Sequence, residues 1–364
     1  DSNRRLAQVA EAIIMADQCD FIRPGDSRWG ELLGQVPHDF YQTATYAEFA
    51  ARYEGGKPVA FYSKRSGTVC LVPLLLRRIP GPLGSERGWC DAASPYGYPG
   101  VLRTGGSSAE DLDRMLEDFK RTAAEQNVIS AFIRLHPLQA IPAEILAKHG
   151  VVRDHGETVY IDLTRSDEDM WRETRSDLRR ALKRLIVAGY YPRMNDWRHL
   201  DEFAQIYRQT MKRVGARAWY LFSNAYFQDF KISLGPAAHL CTVMSPDDRI
   251  AAAGLFTLTN GIAQYHLGGT ADEFASAGPS KLMLDFVRSW FKRMGARRLH
   301  LGGGVGCRKD SLFYFKAGFS KSRAQFRTFR VIADRGKYDE AIRQNLRYGS
   351  SADTEYFPAY RRPH

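Results

Sequence analysis

A chain of 364 residues exceeds what one hydrophobic core ordinarily fills, about 250–300 residues, so two domains are expected. Apolar residues make up 44% and charged residues 26%, which is globular composition, and the absence of a run of about 18 apolar residues excludes a helix that spans a membrane. The formal net charge of +11 makes a large anion an expected partner, beside the plainer reading of a basic protein kept soluble by its charge.

The first segment, DSNRRLAQVAEAIIMAD, reads as a helix and lacks the long apolar stretch and small-residue cleavage site of a secretory signal. A start at Asp1 rather than Met suggests a trimmed chain or a piece of a longer one. PVAFYSKRS and TVCLVPLLLRRI form a β-hairpin pattern about Ser66 and Gly67. After the Gly/Pro-rich CDAASPYGYPGVL, the segment EDLDRMLEDFKRTAAEQ places Leu112, Met115, Leu116 and Phe119 at helical spacing, and VISAFIRLHP follows as a buried strand. From about residue 157 the order repeats. TVYIDL predicts a strand, DEDMWRETRSDLRRALKRLIVAG one helix ending at Gly189, and LDEFAQIYRQTMKRVG a helix ending at Gly215. Three strands come next, HLCTVMSP, RIAAAGLFTLT and GIAQYHLGG, with turns at Asp247–Asp248 and Asn260–Gly261. PSKLMLDFVRSWFKRMG is a helix with Pro279 in its first turn, ARRLHLGG and QFRTFRVIA are strands, and KYDEAIRQNLRYG is a helix expected to pack back on the first unit. The expected fold class is α/β, two units of related plan: residues 1–156, residues 157–335, and a C-terminal segment 336–364.

Familiar catalytic motifs are missing. Gly302-Gly303-Gly304-Val305-Gly306 lacks the Gly-Lys-Ser/Thr ending of a phosphate loop, and there is no GxGxxG, GxSxG or HExxH. His266 and His300 lie on apolar strands, where hydrogen-bonded core histidines are expected. Cys19, Cys70, Cys90, Cys241 and Cys307 are scattered and never in CxxC spacing, so neither a disulfide framework nor a zinc site is expected and a reducing cytoplasm is the natural home. One run does stand out: SLFYFKAGF sets Lys316 among aromatic side chains. Burying an ammonium costs several kcal/mol unless it is paired or its pKa shifts, so this lysine either snorkels to the surface or is held there for a purpose. Upstream, Gly278, Pro279 and Ser280 open a helix, where free backbone N–H groups and the helix dipole favour an anion; an ordinary helix start is the alternative.

The joined pattern YHLGGT, GPSKLMLDFV, LHLGGG, DSLFYFKAGF resembles the GNAT fold as it occurs in the second domain of the Fem transferases, which attach amino acids from aminoacyl-tRNA to the peptidoglycan precursor. FYQTATYAEF with CDAASPYGYPG, and DLRRALKRLIVAGY with FAQIYRQTMKRVGA, extend the resemblance over most of the chain. The resemblance implies two tandem GNAT-like domains with a cleft between them, aminoacyl-tRNA as donor, and neither metal nor organic cofactor. It also implies that Phe315 and Lys316 form the Phe-Lys pair whose lysine faces the reacting carbonyl. Arg213 matches a basic residue that holds the diphosphate of the precursor, whereas the family's first-domain diphosphate lysine has no counterpart in TYAEFAARYEGG, and no heptad arm is present. Relatives lacking that lysine include enzymes of antibiotic biosynthesis that couple an aminoacyl-tRNA to a small amine, so the resemblance implies a small amine or peptide acceptor.

An aminoacyl ester is already activated, and the enzyme needs only to orient a neutral amine and stabilise an oxyanion. Lys316 supplies the positive charge on this reading, with Phe313 and Phe315 excluding water. Asp91 is a candidate for gripping or deprotonating the acceptor amine, or else a loop carboxylate that caps a turn. Tyr96, Tyr98 and Tyr265, with Gly278 and Ser280, are candidate substrate contacts. Arg175, Arg179, Arg180, Lys183 and Arg184 group on one helix face at spacing suited to tRNA phosphates, or form a solvated charged face. Three rival functions stay open: a peptidoglycan bridge transferase, an acyl-CoA-dependent N-acyltransferase, and a non-catalytic module that binds RNA or a partner. Ala275-Ser-Ala-Gly278-Pro-Ser280 lacks the basic or amide residue usual in CoA-binding loops.

Overall fold

The computed structural model describes residues 17–65, 67–106, 108–347 and 356–362; the helix expected at the N-terminus lies outside them, as does Ser66. In chain order the elements are β1 (Gln18–Ile22), α1 (Ser27–Leu33), α2 (Ala44–Glu54), β2 (Lys57–Arg65), β3 (Thr68–Arg78), the single turn α3 (Pro82–Ser85), β4 (Cys90–Ala93), β5 (Leu102–Arg103), α4 (Ala109–Glu125), β6 (Val128–Arg134), α5 (Ala143–His149) and β7 (Val151–Asp162). They continue with α6 (Asp167–Glu173), α7 (Ser176–Val187), β8 (Tyr191–Met194), α8 (Leu200–Arg213), α9 (Asn224–Leu234), β9 (Ala238–Met244), β10 (Ile250–Thr259), β11 (Ile262–Thr270), α10 (Ser280–Arg293), β12 (Arg298–Gly302), α11 (Ser311–Ala317), β13 (Arg323–Ile332) and α12 (Arg335–Arg347). No described helix is long and apolar enough to cross a membrane.

Two compact units result. Unit 1 takes in the chain up to Asp154 and again from Arg327, and unit 2 runs from His155 to Phe326. The boundary read from the sequence, residue 335, therefore moves back to Arg327, because Thr328–Ile332 of β13 pair with Ser130–Arg134 of β6. The last helix belongs to unit 1 as well: Tyr338 and Ala341 of α12 pack with Ile79, Leu83, Trp89, Ile129 and Tyr360.

The sheet of unit 1 runs β1-β2-β3-β4-β6-β13, and that of unit 2 runs β8-β9-β10-β11-β12-β7. Both follow one plan. Successive strands are antiparallel through β4 and through β11, a parallel step follows, β4 with β6 and β11 with β12, and an antiparallel partner closes the set. A parallel step needs a crossover, and a helix stands in each: α4 and α10. The α4 start is set by a capping box between Ser108 and Asp111. Its face at Leu112, Met115, Leu116 and Phe119 is buried as the spacing predicts, each such side chain contributing about 1.5–3 kcal/mol. In unit 2 the turn between β10 and β11 falls at Asn260 and Gly261, both at positive φ, as their residue types suggest.

One expected helix is two. The run 167–189 breaks between α6 and α7 at Thr174, whose backbone is extended. Its hydroxyl donates back to the Met170 carbonyl at 2.9 Å and accepts from the buried Arg288 at 2.8 Å, while the Arg175 N–H turns to the Gly318 carbonyl. These tertiary bonds outweigh the local preference for one continuous helix.

Candidate functional site

Strands β11 and β12 pair through only three positions, Ile262 with Arg298, Ala263 with Leu299 and Gln264 with His300. Beyond these, β11 keeps its ladder with β10 as far as Thr270, whereas Gly302 of β12 pairs with Val159 of β7, so the parallel pair opens like a fork. Buried His300 sits at the crotch, 2.8 Å from Gln264 Oε1 and 2.9 Å from Thr158 Oγ1, a polar tie across three strands. This is a core histidine, as its apolar strand suggests.

Lys316 fills the mouth of the fork. Asp310 caps the short helix α11 by accepting from Phe313 N–H at 2.9 Å, and it also holds Val305 N–H at 2.8 Å. The helix therefore presents Lys316 to the loop that leaves β12. The lysine is only 8% exposed, which rules out snorkelling. Its Nζ donates to the Gly303 carbonyl at 2.7 Å and stands 5.8 Å from the centre of the Tyr265 ring. Burial pulls the ammonium down to about 8 against the opposing pull of Asp310, so it stays mostly charged at neutral pH, without a direct carboxylate partner. Phe313 is buried and Phe315 is partly buried, edge-on to Phe319 at 5.7 Å. Tyr265 stacks on Phe256 at 5.1 Å, and its hydroxyl lies so close to Gly268 that a Cβ there would fall 2.1 Å from it; Gly268 is needed for that approach.

At the far end of β11, α8 is tied on by Thr210, whose hydroxyl donates to the Thr270 carbonyl at 3.1 Å and accepts from Thr270 N–H at 3.0 Å. Arg213, one turn along, pairs with Asp272 and donates to the same carbonyl at 3.1 Å. The Ser280 hydroxyl bonds that of Thr270 at 2.5 Å. Gly278 has φ +67 and lies under the Lys281 ammonium, which a Cβ at this position would meet at 2.1 Å. Lys281 thus adds a cation to the start of α10, a residue that sequence reasoning passed over.

The basic residues divide. Arg175 precedes α7, pairs with Asp177 at 2.6 Å and donates to the Tyr314 carbonyl at 3.2 Å, so it leaves the proposed phosphate row. Arg179 leans on Trp171, donating to its carbonyl at 3.1 Å. Arg180, Lys183 and Arg184 remain on the exposed face of α7.

Asp91, Tyr96 and Tyr98 belong to unit 1. Asp91 is fully buried on β4, with one oxygen bonded to Arg77 at 2.9 Å and the other to Arg361. It is a clamp that ties the C-terminal segment to the sheet, not a loop carboxylate open to an amine. Tyr98 stands edge-on to Tyr41 at 5.8 Å. The Tyr96 N–H donates to Glu54 at 2.8 Å, and the Tyr96 carbonyl accepts from the Tyr46 hydroxyl at 2.9 Å. Neither Glu54 nor the Tyr207 hydroxyl of unit 2, buried with no bonded partner, is signalled by any motif. No described group of three His, Cys, Asp or Glu side chains is placed to hold a metal.

Residues 172–316 match the acetyltransferase (GNAT) domain family. No curated protein matches the sequence. Among solved structures, FemX superposes with a TM-score of 0.67 at 15% identity, over 90% of this chain and 99% of that one. L-PGS from Bacillus licheniformis gives 0.53 at 14% identity, covering 85% of this chain and 92% of that one. The C-terminal domain of a putative lysylphosphatidylglycerol synthetase from Agrobacterium fabrum gives 0.53 at 15%, covering 88% and 94%. The chain is thus Fem-like in fold, its second unit matches a GNAT acetyltransferase domain, and its first unit repeats the same strand plan.

Proposed function

We propose that the protein is an aminoacyltransferase that takes an aminoacyl group from charged tRNA and joins it to an amine, forming an amide bond on a small molecule or peptide of a biosynthetic pathway. The observation that carries this reading is Lys316, a buried cation held by a backbone carbonyl at the mouth of the β11–β12 fork. The fold shared with FemX adds to it. The neutral amine attacks the ester carbonyl, a C–N bond forms, and the developing oxyanion is stabilised by the Lys316 ammonium in a site from which Phe313, Phe315 and Tyr265 exclude water. The ester C–O bond then breaks and the ribose oxygen leaves with the proton that the amine gives up. No nucleophile of the protein enters the scheme. Arg180, Lys183 and Arg184 meet tRNA phosphates, and Arg213 with Lys281 faces an anionic part of the substrates.

The test is incubation of the purified protein with a pool of charged tRNAs, with acetyl-CoA, and with a panel of amines, followed by mass spectrometry for new amides. The expected product disappears on ribonuclease treatment and forms without CoA. A ribonuclease-resistant product that requires acetyl-CoA overturns the proposal.

A further inference from the structure

Unit 1 has its own parallel pair. β4 and β6 pair from Cys90 with Val128 to Ala93 with Phe132, and beyond Ala93 the chain leaves as the SPYGYPG loop. The C-terminal ends of parallel strands, where the chain turns away, are where α/β sheets form crevices. In unit 2 that place holds Lys316. In unit 1 it holds two opposite charges, Arg134 at the end of β6 and Glu54 at the end of α2.

Neither charge is satisfied by the other. The Arg134 Nη1 donates to the Ser94 carbonyl at 2.7 Å, and its backbone N–H donates to the Ser94 hydroxyl at 3.0 Å. Glu54 accepts from Tyr96 N–H through Oε1. Among the described residues no oxygen is bonded to Arg134 Nε or Nη2, no donor is bonded to Glu54 Oε2, and no ion pair joins the two. They are near enough to feel each other's charge: burial raises the Glu54 carboxyl while Arg134 and Arg77 oppose the rise, and burial lowers the Arg134 guanidinium while Glu54 opposes that. Both side chains are partly buried rather than sealed. The loop between them is fixed on both sides of Tyr96, by Glu54 and by the Tyr46 hydroxyl.

Two enclosed, opposite charges, each with an open bonding position and neither bonded to the other, are stabilised by one molecule that carries both complementary charges. We infer that unit 1 binds a small zwitterion with an ammonium and a carboxylate on the same or adjacent carbons, of which the free α-amino acids are the simplest class. Arg134, through Nε and Nη2, takes the carboxylate. Glu54 Oε2 takes the ammonium. The inference does not rest on aminoacyl transfer, since it concerns binding within unit 1 alone.

Isothermal titration calorimetry on the whole chain, without tRNA, tests it against the common α-amino acids and against their N-acetyl and C-terminal amide forms. At least one free amino acid is expected to bind, with each blocked form weaker by roughly ten- to a hundred-fold, the range for losing one charge-assisted hydrogen bond. Glu54→Gln keeps the oxygen that accepts from Tyr96 N–H, so the loop stays anchored, and it should erase the penalty for N-acetylation while retaining that for the amide. Arg134→Gln should do the reverse. Binding by none of the amino acids, equal binding of the blocked forms, or unchanged discrimination in Glu54→Gln overturns the inference and leaves a site filled by water. None of these results bears on whether charged tRNA is the donor.

Discussion

In unit 2 the parallel strands β11 and β12 part around a lysine whose ammonium bonds the Gly303 carbonyl; in unit 1 the corresponding strands β4 and β6 end between Glu54 and Arg134, with the Asp91 clamp a few residues away on the sheet. The strand plan is the same, but the electrostatics are opposite in kind. Unit 1 holds both signs of charge, Glu54 and Arg134 unbonded to each other at the lip and Asp91 matched by Arg77 and Arg361 beside them. At the same place unit 2 keeps a cation whose pKa has been pulled down by burial and which no described carboxylate bonds. A single unneutralised charge in a water-poor notch is costly to keep and strong toward a developing anion, whereas a matched set suits holding a shape or a zwitterion. The fold supplies the crevice twice, and the residues at its lip decide what each crevice can do.

The comparison breaks most visibly at Asp91. If the unit 1 charges are structural countercharges, Asp91→Asn should lower the unfolding free energy by about 3 kcal/mol, the low end for removing one partner of a buried pair, because Arg77 and Arg361 keep some contact with water. Denaturant titration measures this. A change in transfer kinetics without a change in stability would return Asp91 to the chemistry.

Lys316→Ala should lower kcat by about 10²–10³, as loss of one oxyanion-stabilising group does, and leave tRNA affinity within a few-fold. The wild-type rate should also fall as pH rises past about 8, where Lys316 gives up its proton. A rate that keeps climbing above pH 8, beyond the pKa measured for the free acceptor amine, would make neutral Lys316 the working form and the lysine a base.

Much of this was legible in the sequence. Period and turn residues predict the hairpin of β2 and β3, the buried face of α4 and the crossover helix α10, since these elements follow local preference. SLFYFKAGF singles out Lys316 because an ammonium among aromatics conflicts with burial. The break at Thr174 was not legible: it depends on Arg288, more than a hundred residues away. Nor was the exchange by which β13 ends in unit 1, which depends on pairing with β6. Asp91 was misread for a related reason. Its partner Arg361 lies 270 residues along the chain, and a carboxylate beside a Gly/Pro loop looks exposed until that partner is known. Glu54 and Arg134 belong to no motif, and only the fold brings them together.

The outer face of α7 tests the surface counterpart of the contrast. Arg180, Lys183 and Arg184 are exposed, so their replacement by Gln should leave stability within about 0.5 kcal/mol. If each meets a phosphate, the triple variant should bind tRNA with a salt dependence shallower by about 2–3 units in the log–log slope. Filter binding over a range of salt concentrations measures it. An unchanged slope would reduce this row to a solvated face.

The smallest expected effect concerns what Lys316 costs the fold. Its pKa is about 8 in the folded protein, against 10.5 as the ordinary lysine value, so between these limits the unfolded chain holds more protons than the folded one and stability rises with pH. Below about pH 8 the folded protein carries the whole cost of a buried ammonium; above about 10.5 that cost is gone. Lys316→Met, similar in length and uncharged, should therefore be more stable than the wild type at pH 7 by about 1 kcal/mol, a gain held down by the loss of the bond to Gly303. The difference should shrink as pH rises from 8 toward 10.5. Paired denaturant titrations at pH 7, 9 and 10 would follow it. A methionine variant less stable than the wild type at pH 7 would mean that the bonds and charges around Lys316 outweigh the cost of burying it, and the contrast between the two lips would fall with it.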